Sequence, residues 1–136
     1  MGVINLAFVI QRPPYKQENS TLGYTHAIAS QTAEIHLEDG DSVTASLILV
    51  GDGVLTCVNN QKAMENYGLS SLESHFMNAL LVDNRCVICK EDLERFGITE
   101  DRIPDATAMG ADMEPEIKTW DEIQAELDKA DHLLFV

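Results

Sequence analysis

Residues 3–10 read Val3-Ile4-Asn5-Leu6-Ala7-Phe8-Val9-Ile10, an apolar run rich in β-branched side chains and stopped by Pro13-Pro14. A strand with one wet face alternates polar and apolar residues. A run without that alternation is how a strand buried on both faces reads, as in the interior of a parallel sheet. Parallel neighbours must be joined by long crossovers, so helical segments have to follow. Residues 21–37 supply the first, with Leu22, Ala29, Ala33 and Leu37 in helical register beside Ile28 and Ile35. Glu38-Asp39-Gly40-Asp41 marks a turn, Ser42 to Val50 a second strand, and Gly51-Asp52-Gly53 its end. Residues 54–68 read as one or two short helical pieces. Ser70-Ser71-Leu72-Glu73 has the form of a capping box opening a helix to about Leu81. Arg85 to Cys89 is a third, short strand, and Lys90 to Phe96 a short helix with Gly97 where left-handed geometry is needed. A weak strand is expected at Ala106 to Met109. Thr119-Trp120-Asp121-Glu122 offers a second capping box for a helix to Lys129, and His132 to Val136 closes the chain as a strand. Strands alternating with helices predict an α/β fold with a parallel sheet covered on both faces. With 136 residues, one domain spanning 1–136 is expected.

Charge sets the surface. Nine basic against 23 acidic residues leave a formal charge of -14. Nucleic acid binding relies on neutralising phosphates, so direct binding is not expected. The acid-rich stretch Glu114 to Asp131 is a candidate docking face for a basic partner, beside its ordinary role in solubility. The apolar runs are too short to cross a bilayer, and no basic segment precedes an apolar stretch at the start. A cytoplasmic protein with reduced thiols is expected.

In a parallel α/β sheet, reactive groups collect at the carboxyl ends of the strands. Cys86-Val87-Ile88-Cys89 matches C-x-x-C, but on a strand its ends lie roughly 10 Å apart on opposite faces. A disulfide needs Cα atoms within about 7 Å. Zinc lacks a second ligand pair at suitable spacing, and His26, His36, His75 and His132 are scattered, so no metal site is expected. Cys86 is expected inside the sheet. Cys89 stands where strand three meets the next helix, whose N-terminal N–H groups lower a thiol pKa, with Lys90 adding to this and Glu91 and Asp92 opposing it. Cys57 follows the Gly51-Asp52-Gly53 turn and is expected either in the same cleft or buried in the short helix. Gly51-Asp52-Gly53 lacks the further glycine and lysine of a phosphate loop and reads as a turn. Arg12, Tyr15 and Lys16, in the loop after strand one, are candidate substrate or anion contacts. His26, early in the first helix, is the one histidine near that edge.

Several segments together resemble the DsrE/DsrF/TusD-type family of sulfur-relay proteins. Phe8-Val9-Ile10-Gln11-Arg12-Pro13-Pro14-Tyr15 is similar to the first strand and loop of DsrF/TusC-type subunits. Leu49-Val50-Gly51-Asp52-Gly53-Val54 resembles the ending of the family's second strand. Cys89 with Leu93-Glu94-Arg95-Phe96-Gly97-Ile98 resembles the segment in which a cysteine precedes a short helix ending in glycine. Glu126-Leu127-Asp128-Lys129-Ala130-Asp131 is similar to the final helix. The resemblance implies a three-layer α/β/α fold with a five-stranded, mostly parallel sheet. It further implies assembly as a homo-oligomer (trimer or hexamer) or with sister subunits. In TusD- and DsrE-type members the matching cysteine accepts persulfide sulfur and passes it on, so the resemblance implies sulfurtransferase-like chemistry at Cys89, between sulfur donor and acceptor proteins. Such exchange requires no metal or organic cofactor. Because both ends are closest to DsrF/TusC-type subunits, a non-catalytic, partner-docking subunit is the alternative. A buried Cys89 of ordinary pKa favours that alternative.

Overall fold

A computed structural model of the chain describes residues 3–14, 18–32, 42–62, 65, 66, 68 and 71–136. Five parallel strands form one sheet: β1 (Val3–Ile10), β2 (Ser42–Leu49), β3 (Arg85–Cys89), β4 (Glu116–Lys118) and β5 (His132–Phe135), in the order β4-β3-β2-β1-β5. The strand at Ala106 to Met109 is not present. Residues Thr107–Met109 form a 3-10 turn, and the remaining strand lies at Glu116–Lys118 instead. Gly110, at φ +95°, ends that turn, which closes on local hydrogen bonds from the Met109 N–H to Ala106 and from the Gly110 N–H to Thr107.

The chain adds β2, β3 and β4 in one direction from β1, then returns to place β5 on the other side. With right-handed crossovers, that reversal puts the last helix on the opposite face from the first. The connecting helices are α1 (Asn19–Thr32), α2 (Leu72–Leu81), α3 (Lys90–Arg95) and α4 (Trp120–Lys129), and α1 and α4 lie on opposite faces. Gly23 on α1 packs so closely that an added Cβ would lie 2.5 Å from the Ile10 side chain. Arg85, whose side-chain parity is opposite to that of Ile10 through the register Arg85–Ser46–Ala7, reaches Glu126 on α4.

Two helical expectations shift. On α1 the buried residues are Ser20, Gly23, Tyr24 and Ala27, while Leu22 is exposed. The close approach of helix to sheet needs small residues, so the face is rotated away from the larger aliphatics. Residues 33–41, including Ala33, Ile35, His36 and Leu37, lie outside the described residues. At α2 the N-cap is Ser71 and its side chain makes no capping bond. Glu73 accepts the Gln61 N–H at 3.1 Å instead of closing a box, and Ser70 is outside the described residues. The second box is present as read: Thr119 and Glu122 cap α4 reciprocally. Gly97, at φ +67°, follows α3.

The core sits under α1 and α2 and along the carboxyl half of the sheet. Val9, Ile10, Leu47, Ile48, Leu49, Val87 and Ile88 are all buried, whereas the amino end of β1 and all of β5 are not. Phe76, Leu72 and Leu80 point into that core. Met77 and Leu81 on the same helix are partly buried against it. Exposed apolar surface lies on edge strand β5, at Leu133, Leu134 and Phe135.

Candidate functional site

Cys89 is the last residue of β3 and the N-cap of α3. Strand parity puts it on the α4 face with Arg85 and Val87, and sends Cys86 to the other face. All three cysteines are free. Cys86 lies on the α1 side near Cys57 and Tyr24, whose hydroxyl shares a 2.8 Å hydrogen bond with Thr56. Cys57 donates to the Val54 carbonyl at 3.2 Å and is completely buried. Burial pushes its thiol up to about 12 and raises that of Cys86 as well. Cys57 thus belongs with Cys86 in the core and not beside Cys89.

Cys89 also has no accessible surface, but its sulfur faces the exposed Glu91 side chain. Its sulfur lies 3.9 Å from Glu91 Oε1. Burial, foremost, pushes the thiol up to about 11. The Asp92 N–H, at the start of α3, pulls it down, and the Asp92 carboxylate raises it again. The helix-terminal lowering expected at Cys89 therefore operates, but burial and the neighbouring carboxylate outweigh it. At pH 7 the thiol is therefore overwhelmingly protonated.

The ring around Cys89 is acidic and tied down. Asp92 is nearly buried; its carboxylate accepts the Gly51 N–H at 2.7 Å and lies 3.4 Å from Arg95 Nε. This fixes the turn after β2 against α3. Glu91 receives the Trp120 N–H at the start of α4. Below Cys89 on the same face, Arg85 bridges Glu116 at 2.7 Å and Glu126 at 2.8 Å, and Lys118 reaches Glu126 at 3.0 Å. Arg85, above all, holds the Glu126 carboxyl down at about 2. The acid-rich stretch 114–131 is therefore partly neutralised from within, with Glu114, Asp121 and Asp128 left on the exposed side.

Two of the other candidates stand apart from the face that carries Cys89: Cys57 in the core beside Cys86, and His26 on α1. His26 is exposed on α1, on the far side of the sheet. Arg12 is exposed after β1, and its carbonyl accepts the Ser20 hydroxyl at 2.7 Å. Tyr15 and Lys16 lie outside the described residues. Sequence reading missed Glu91 and Asp92 as structural neighbours of the thiol, having weighed them only as charges. Among the described residues no group of three His, Cys, Asp or Glu side chains is arranged to hold a metal, and no helix is long and apolar enough to cross a membrane.

The family model described as the DsrE/DsrF-like family matches residues 5–136. The chain belongs to the DsrE/DsrF-like family. Among solved structures, the YchN protein of E. coli superposes with a TM-score of 0.73 at 20% identity, covering 98% of this chain and 99% of that one. That likeness establishes the DsrE-like fold: the five-stranded parallel sheet with its helices. Comparison with curated proteins gives no match. Members of the DsrE/DsrF-like family are generally associated with sulfur relay, and typically work with partner subunits.

Proposed function

We propose that this DsrE/DsrF-like chain is a cytoplasmic sulfur-relay protein in which Cys89 accepts persulfide sulfur and passes it on. The observation that carries this reading is placement. Of three thiols, Cys89 alone stands at the carboxyl end of a strand and the start of a helix, with its sulfur against the exposed Glu91, while Cys57 and Cys86 lie together on the α1 side of the sheet. The chemistry is thiol–persulfide exchange. The Cys89 thiolate attacks the outer sulfur of a donor persulfide, the donor S–S bond breaks, and the donor leaves as a thiolate that takes up a proton. Cys89 then carries the new S–S bond until an acceptor thiolate attacks its outer sulfur and releases Cys89. No net oxidation occurs and no cofactor is needed. With the thiol covered and held near 11, transfer requires a conformation in which the cover opens.

The same cover favours a second reading, a non-catalytic subunit that docks a relay partner. Intact-mass measurement after incubation with glutathione persulfide separates them. A carrier gains one sulfur per chain, Cys89→Ser abolishes the gain, and Cys57→Ser and Cys86→Ser keep it. No gain at Cys89 leaves the docking subunit. Partners in either case are sulfur donor and acceptor proteins, and assembly as a homo-oligomer or with sister subunits would cover the apolar edge at Leu133, Leu134 and Phe135.

A further inference from the structure

The Glu91 carboxylate touches two groups from different parts of the chain. Its Oε1 lies 3.9 Å from the Cys89 sulfur and 3.1 Å from the Trp120 nitrogen, and its Oε2 lies 3.2 Å from that same nitrogen. Trp120 is the first residue of α4, after the N-cap Thr119. N–H groups in a first helical turn have no partner inside the helix, so α4 begins with an unmet donor that Glu91 satisfies. The two residues are 29 apart in sequence, so this bond clasps the start of α4 to the start of α3. The rest of α4 is held elsewhere, by the buried Ile123 and by the Glu126 bridge to Arg85. Its first turn, with Trp120, Asp121 and Glu122 all exposed, follows directly on β4, whose last residue Lys118 pairs with Cys89, so the movement that the clasp restrains is confined to that turn.

We propose that Glu91 is a positioning residue: its bond to the Trp120 N–H holds the cover over Cys89, and breaking that bond exposes the thiol. The inference rests on Cys89 being the working thiol, but its test does not use sulfur transfer. The rate of iodoacetamide alkylation, resolved by residue in the intact chain, reads exposure together with the ionised fraction of the thiol, and Trp120→Pro, which leaves the Glu91 charge in place, separates the two. Glu91→Ala should raise the Cys89 rate about tenfold or more, as expected for losing a hydrogen bond to a charged acceptor. Cys57 and Cys86 should stay unlabelled in the same samples. Trp120→Pro removes the N–H and leaves Glu91 in place. Proline is accepted at a first helical position, and Thr119, at φ -73° and ψ 165°, already has the extended geometry that precedes it. It should accelerate alkylation as Glu91→Ala does, while Trp120→Ala, which keeps the N–H, should react at the unmodified rate. A wild-type rate in Glu91→Ala overturns the proposal. So does equal acceleration by Trp120→Ala and Trp120→Pro, which would make the indole the cover, or labelling of all three cysteines together. If the clasp governs alkylation in a chain that never takes up persulfide sulfur, the inference stands and the carrier reading falls.

Discussion

Replacing Gly53 with alanine drives one methyl group into backbone. A Cβ at that position would sit 1.9 Å from the Ile10 carbonyl oxygen, 2.6 Å from its carbon and 3.2 Å from the Gln11 nitrogen. Real Cβ atoms keep at least 3.0 Å, so the turn after β2 and the end of β1 must separate by 3.0 − 1.9, about 1.1 Å. Neither side is a flexible side-chain tip that can swing away. The same Ile10 carbonyl accepts the Val50 N–H at 3.1 Å, so separation also strains a bond that ties β2 to β1. Overpacking with a weakened backbone bond should cost about 3 kcal/mol or more, a large share of the total stability of a domain this size. Gly51, two residues earlier, is the internal control. Its Cβ would meet only the Gln11 oxygen at 3.8 Å, an ordinary contact, and its φ of +56° is what alanine resists. That penalty is about 1 kcal/mol. Urea unfolding of both variants, fitted for midpoint and slope, gives the comparison. A Gly53→Ala cost equal to or below that of Gly51→Ala would refute the close-approach argument.

Further measurements bear on other parts of the structure. Glu126 is held at about 2, below the ordinary 4.5, so it contributes stability above pH 4.5 that is lost as pH falls toward 2. The urea midpoint of the wild type should therefore fall more steeply across that window than that of Glu126→Gln. Thr119→Ala removes the cap of α4 and should cost about 1 kcal/mol in the same assay; an unchanged midpoint would mean that packing alone holds the helix start. Light scattering at moderate salt, which screens the charge of -14, should give a mass above that of one chain. A monomer well above micromolar concentration would leave only assembly with an unlike partner.

The sheet was legible because its strands are buried on both faces where it matters. The apolar run at Val3 to Ile10 carries the non-alternating pattern that parallel neighbours impose, whereas the second strand alternates from Ser42 to Leu47 and is continuously apolar only at Leu47-Ile48-Leu49. β4 escaped because Glu116, Ile117 and Lys118 form a half-buried edge whose charges pair sideways with Arg85 and Glu126, and no local pattern announces such pairing. The buried face of α1 was misjudged for a related reason. Apolar spacing ranks Leu22 above Gly23, but the distance between helix and sheet is set by Gly23 against Ile10 and Val136, a contact that only the folded chain contains.

The location of Cys89 was readable and its state was not. A cysteine closing a strand and capping a helix follows from local sequence, and so does the pull of the first-turn N–H groups on its thiol. Whether that pull prevails depends on burial, which ranks first among the causes and acts against it. The cover is assembled from distant pieces: Gly51 brings Asp92 into place across 41 residues, and Trp120 brings Glu91 into place across 29. Each carboxylate is held by a backbone N–H, a group every non-proline residue possesses, so side-chain identity at the donor position carries no signal. What sequence can specify is the carboxylate alone. Glu91 and Asp92 read as two charges at a helix start; in the fold they are two clasps, one fixing the floor of the site and the other closing it.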